Sequence, residues 1–124
     1  MRVATLDKAV ALLAPLFAGA DEERVAAIHL GADRRLIAVT LEGSGGAEEV
    51  PLPVAGLLGS ALRLGAASLI VAHNHPSGDP SPSLRDREAT RQLAEAARAA
   101  GLRLLDHIIL AGGEARSMAE MGLL

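Results

Sequence analysis

Apolar and polar positions along this chain switch between a helical and an extended period. Thr5 stands where a helix N-cap is expected, Leu6, Val10, Leu13 and Phe17 follow at helical spacing, and Gly19 ends the run. The spacing predicts a first helix whose apolar stripe lies on a sheet. Residues 23–30 read as a strand, with Val25, Ala27 and His29 on one side and Ala26, Ile28 and Leu30 on the other. His29 is read as an outward, surface position. Gly31-Ala32-Asp33-Arg34 is a hairpin loop, residues 35–41 are the return strand, Gly43-Ser44-Gly45-Gly46 is a flexible connection, and residues 49–52 form a short extended piece. Pro53 suits the first position of a second helix, which has an apolar face of Leu57, Leu58, Ala61, Leu62 and Leu64 and a stop at Gly65. Residues 67–73 are nearly all apolar, as in a central strand covered on both faces. A third helix is predicted from about Ser83 to Ala100, with Leu84, Ala89, Leu93, Ala96, Ala97 and Ala100 inward and Gly101 as its stop. Another buried strand, residues 102–110, is broken by Asp106 and His107. A Gly112-Gly113 turn then leads to a short strand over 114–117. No repeat, linker or second domain shows. Strands mixed with helices around a buried sheet predict an α/β fold, a three-layer α/β/α sandwich with a mixed central sheet.

Composition narrows the function classes. With 124 residues, half of them hydrophobic, the chain is long enough for one domain with its own core. No apolar run approaches the roughly 20 residues of a membrane span, and MRVATLDKAV has no secretory core, so a cytoplasmic protein without membrane partners is expected. There is no cysteine, so any metal is held by His and carboxylate. A formal charge of −3 without a basic cluster, and a single Phe with no Tyr or Trp, weigh against duplex and single-strand nucleic-acid surfaces. Oligomeric state is not legible.

The chemistry concentrates in VAHNHPSGDPSPSLRD, residues 71–86. Histidines at i and i+2 on a strand point to one side, so His73 and His75 can share one metal ion. They sit at the end of a buried strand, where α/β sheets place their ligands. Asp86, eleven residues on at an expected helix start, can fold back as a third ligand. Three protein ligands and one position left for water make the arrangement of a catalytic zinc site. Asn74, between the histidines, points the other way, toward supporting bonds or backbone. Ser83 has two readings. Ser83-Leu84-Arg85-Asp86 resembles a capping box, although Glu or Gln is usual where Asp stands. If Ser81 is the cap instead, with Pro82 in the first turn, Ser83 is free to face the metal and hydrogen-bond a developing oxyanion. By spacing alone both stand.

HNHPSGDPSPSLRD resembles the JAMM (JAB/MPN+) metalloprotease pattern: His-x-His, seven residues, Ser, two residues, Asp, here His73, His75, Ser83 and Asp86. HNHPSG and the later LLDHIIL resemble the bacterial RadC-like branch more closely, and the similarity runs from the first helix to SMAEMGLL. The resemblance implies a JAB/MPN, cytidine-deaminase-like fold and one Zn²⁺. It implies hydrolysis of a peptide or isopeptide bond in a protein or peptide substrate. It also implies a Glu at the opening of the first strand as general base; Glu23 matches, with Glu22 beside it pointing to the opposite side. Asp106 and His107 match the family's Asp-His pair, either as a satisfied polar pair in the fold or as support for a metal ligand. Leu52-Pro53-Val54-Ala55 stands where RadC-like proteins have an HPRE-like stretch. The alternative reading is a metal-binding or scaffold module without peptidase activity, linked to DNA repair or recombination. The helix-hairpin-helix region common in RadC-like proteins is not found in these residues, which lowers that DNA expectation.

Overall fold

The apolar run over residues 69–72 forms the middle of a five-stranded mixed sheet. The computed structural model of the protein describes residues 1–45 and 51–124. Its elements run α1 (Leu6–Phe17), β1 (Arg24–Leu30), β2 (Leu36–Ser44), α2 (Val54–Arg63), β3 (Ser68–Asn74), α3 (Leu84–Ala99), β4 (Arg103–Ala111) and β5 (Glu114–Ser117). The sheet order is β2-β1-β3-β4-β5. β1 is antiparallel to β2 and β3, β3 is parallel to β4, and β4 is antiparallel to β5. Every residue of β3 is buried, as the apolar run over 69–72 within it requires, because consecutive side chains leave water together only when both faces are covered.

Strand alternation assigns the helices to faces. Ala26, Ile28, Leu30, Ile70, Ala72 and Ile108 pack against Ala9 and Leu13 of α1. Val25, Ala27, Leu69 and Val71 pack against Leu57 and Ala61 of α2 and Leu93 and Ala97 of α3. The sheet is thus the middle layer of the expected α/β/α sandwich. Full burial of a Leu such as Leu13, Leu57 or Leu93 stabilises by about 1.5–3 kcal/mol. Thr5 caps α1, its hydroxyl accepting from the Lys8 amide at 3.2 Å. Among the described residues no helix is long and apolar enough to cross a membrane.

Several local expectations shift. Gly43 and Ser44 belong to β2, paired with Val25 and Arg24 past a register shift, so only Gly45 of the described residues remains as connection. Gly46, Glu49 and Val50 lie outside the described residues, and Pro51 and Leu52 carry no regular structure. Pro53 precedes α2 rather than opening it. Leu62 and Leu64 are exposed, because Leu57 and Ala61 set the phase of α2. Leu84 is 83% exposed. It lies nine positions before Leu93, about two and a half turns round at 3.6 residues per turn, hence on the opposite side of α3. Ala100 is also exposed, as the residue capping α3.

His29 is not a surface residue: it is fully buried on the Val25–Ala27 face. Sequence alternation placed it correctly on that face, but α2 covers the face. A polar ladder receives the ring. The Thr40 hydroxyl donates to Glu42 Oε2 at 2.6 Å, so His29 Nε2–H donates to Thr40 Oγ1 at 2.9 Å. Ser60 of α2 donates to the other Glu42 oxygen at 3.1 Å. Among the described residues His29 Nδ1 has no hydrogen-bond partner. Burial lowers the pKa of His29 below its usual 6.5, against a smaller opposing pull from Glu42. A histidine held neutral in the fold takes up its proton only on unfolding, so stability is greatest above pH 6.5 and falls as pH drops below it. In urea titrations at pH 8 and pH 5.5, the wild-type midpoint should fall more with acid than that of His29→Gln. Equal falls would remove His29 as a cause.

Candidate metal centre

The site forms where the end of β3 meets the first turn of α3. His73 follows Leu69 and Val71 on the face beneath α3, and the amide of His75 donates to Leu110 O at 2.9 Å, carrying the sheet pairing past the end of β3. The Pro76–Ser77–Gly78–Asp79 turn folds back: Gly78 N donates to His75 O at 3.0 Å, and the Asp79 carbonyl oxygen comes within 2.8 Å of His75 Nδ1. Gly112 braces this turn from the β4–β5 hairpin. A Cβ there would meet Gly78 O at 3.0 Å, and its φ of +57 also favours glycine.

Asp86 comes from the capping box of α3. Ser83 Oγ accepts from Asp86 N at 3.0 Å, and Asp86 Oδ2 accepts from Ser83 N at 2.8 Å. The capping reading of Ser83 is therefore the realised one, and Ser81 is not the cap. The Ser83 hydroxyl proton is not consumed by that bond, and the residue is exposed beside Asp86. The carboxylate turns inward: Oδ1 lies 3.3 Å from His73 Nε2 and Oδ2 lies 3.1 Å from His75 Nε2. The two Nε2 atoms are 2.8 Å apart. His73, His75 and Asp86 thus offer three converging ligand atoms, with His75 the most exposed of the three. Burial opposes ionisation of Asp86, but the two facing imidazoles and the hydrogen bond from the Ser83 amide hold its carboxyl well below the usual range.

Hydrogen-bond direction tests whether this donor set fits a cation. The Asp79 carbonyl can only accept, so His75 carries a proton on Nδ1, and in the neutral ring Nε2 is bare. For His73 the reasoning takes three steps. Thr90 Oγ1 lies 2.6 Å from the Asp86 carbonyl oxygen, to which it must donate. It therefore accepts from His107 Nδ1, also at 2.6 Å. His107 Nε2 is then bare and accepts from His73 Nδ1 at 2.6 Å, which leaves His73 Nε2 bare as well. With both imidazoles neutral, two lone pairs and a carboxylate face one point, and a cation there would relieve that repulsion. The donors stand slightly closer than the about 3.3 Å expected around a tetrahedral zinc with bonds of about 2.0 Å. His107 is fully buried and stays neutral, its pKa pushed down to about 3, chiefly by burial.

The remaining candidates divide by face. Asn74 points to the α1 side, where its Oδ1 accepts from Arg24 N at 2.7 Å and its Nδ2 donates to Glu22 O at 2.9 Å. It thereby clamps both peptides flanking Glu23. Continuing the β1–β3 register from Val25 opposite His73 brings Glu23 opposite His75, and Glu23 is buried. Glu22 faces away and approaches Arg24 Nε at 3.7 Å, while Arg24 also donates to Leu16 O of α1. The adjacent Asp106 and His107 diverge. Asp106 accepts from its neighbour's amide at 2.7 Å, from Ala119 N at 3.0 Å and from the Ser117 hydroxyl, so it anchors the turn after β5. His107 alone touches a candidate ligand. Two contributors were missed from the sequence: the Asp79 carbonyl, which no residue pattern announces, and Thr90. The signal for Thr90 was its phase, since Asp86, Thr90, Leu93 and Ala97 are the buried stripe of α3.

A mixed sandwich with three possible metal donors at the end of its central strand is the architecture of the JAB class. A UPF0758 protein of Symbiobacterium thermophilum is 39% identical over 112 residues, covering 90% of this chain and 48% of the relative. One of Roseiflexus castenholzii is 39% identical over 103 residues, 83% of this chain and 44% of the relative. One of Bordetella petrii is 56% identical over 64 residues, 52% of this chain and 28% of the relative. The chain belongs to the RadC-like JAB domain family, whose model matches residues 3–123. It spans about half the length, or less, of these curated relatives.

Proposed function

We propose that the protein is a zinc-dependent metallohydrolase that cleaves peptide or isopeptide bonds. The observation that carries this reading is the convergence of the Nε2 atoms of His73 and His75 on the Asp86 carboxylate, at 2.8 Å from each other and 3.3 and 3.1 Å from its oxygens. His73, His75 and Asp86 would hold the ion. Zinc bound there supplies Lewis acidity and a water whose pKa is about 7. Glu23, buried opposite His75 in the register, accepts the proton of the attacking water and returns it to the leaving amine. The Ser83 hydroxyl donates to the oxyanion of the substrate carbonyl while its oxygen continues to cap α3. Asn74 holds Glu23 in place through the peptides on either side. A groove between the starts of α2 and α3, lined by Leu52, Val54, Arg85, Ala89 and Gln92, opens beside Asp86 and gives an extended chain somewhere to lie.

A library of internally quenched peptides and isopeptide-linked conjugates tests the proposal. Cleavage should vanish with a chelator and return with one equivalent of zinc. Full zinc loading without cleavage of any amide substrate would favour the scaffold reading.

A further inference from the structure

Thr90 takes no part in the proposed chemistry, yet it is fully buried where three parts of the site meet. It lies one helical turn after Asp86, with its Oγ1 2.6 Å from the Asp86 carbonyl oxygen, 2.6 Å from His107 Nδ1 and 3.6 Å from Met118 Sδ. We infer that Thr90 is a positioning residue for the metal centre: its hydroxyl sets, through His107, which nitrogen of His73 carries the proton, and ties the backbone of Asp86 to the same network. This inference rests on the metal reading above.

A helical threonine bonding the carbonyl four residues back is common and says nothing about a site by itself. The second contact, to His107, distinguishes this one. With the hydroxyl in place, His107 donates from Nδ1 and accepts at Nε2, so His73 must donate from Nδ1 and present a bare Nε2. Without it, the Nδ1–H of His107 is buried against a methyl group. His107 regains a partner by carrying its proton on Nε2 and donating to His73 Nδ1 instead. The proton of His73 then resides on Nε2, the atom that faces Asp86 and His75. Zinc entry must displace that proton or leave His107 with an unpaired donor. Partners that orient a ligating imidazole typically matter by about 10–100-fold in metal affinity.

The test compares wild-type protein with Thr90→Val, which keeps the shape and removes the hydroxyl, and with Thr90→Ser, which keeps the hydroxyl. Zinc affinity is read by competition with a chromophoric chelator, and the His73 tautomer by nitrogen-15 NMR of the metal-free protein. Thr90→Val should bind zinc about 10–100-fold more weakly and shift His73 from the Nδ1–H to the Nε2–H form, and Thr90→Ser should restore both. Should Thr90→Val fail to fold, Thr90→Ala carries the same expectation. Wild-type affinity in the hydroxyl-free variant, or weaker binding with an unchanged tautomer, would overturn the inference and leave Thr90 a packing residue. Failure of wild-type protein to bind zinc would refute the metal centre itself, and the tautomer comparison would still decide the role of Thr90.

Discussion

Asp86→Ala should lose zinc and stability together. The carboxylate faces both imidazoles and also closes the capping box on Ser83 N. Removing a direct ligand should cost more than the about 10–100-fold that attends loss of a supporting partner. Removing one arm of the cap should cost about 1 kcal/mol of unfolding free energy. Ser83→Ala separates the two effects, since it removes the other arm of the cap and leaves the carboxylate in place. Chelator competition should therefore show a collapse of affinity for Asp86→Ala and near-wild-type affinity for Ser83→Ala. Denaturation in the presence of a chelator should show similar losses for both. Zinc bound equally well by Asp86→Ala would take Asp86 out of the ligand set.

Glu23→Gln should separate binding from turnover. The amide fills the same buried space opposite His75 but cannot accept a proton from water. Zinc affinity should stay near wild type, and the rate of amide cleavage should fall by about 10²–10⁴, the usual weight of a general base. Glu22→Gln is the control. Its side chain faces Arg24 on the other side of the strand and its loss should leave the rate within about twofold, the small effect expected of an exposed ion pair. A full rate from Glu23→Gln would remove that residue from the mechanism. A collapse with Glu22→Gln alone would mean that the strand presents the other carboxylate.

How legible each part was depends on the range of the interaction involved. The i, i+2 histidines and the apolar run before them are local signals, and the strand period alone puts both rings on one side. Which carboxylate meets them is a tertiary matter, yet Asp86 was readable because a helix start after a short loop limits where it can go. Ser83 could not be decided locally, because Ser81 followed by Pro82 offers an equally good start; the reciprocal bonds of Ser83 and Asp86 settle it. His29 was misread because burial of a polar strand residue depends on a partner supplied by the next strand, Thr40, under a helix whose coverage the sequence does not show. Thr90 and the split of Asp106 from His107 were hidden for the same reason: each is defined by contacts between elements far apart in the chain. The sandwich itself was legible because β3, buried on both faces, needs a layer on each side.

The central claim is that two bare imidazole nitrogens and one carboxylate gather around a cation. Crystals of wild-type protein grown with zinc, measured across the zinc absorption edge, test it most directly. The account predicts one strong anomalous peak bonded to His73 Nε2, His75 Nε2 and Asp86. Zinc located elsewhere, or no peak with the two imidazoles sharing a proton, would contradict it.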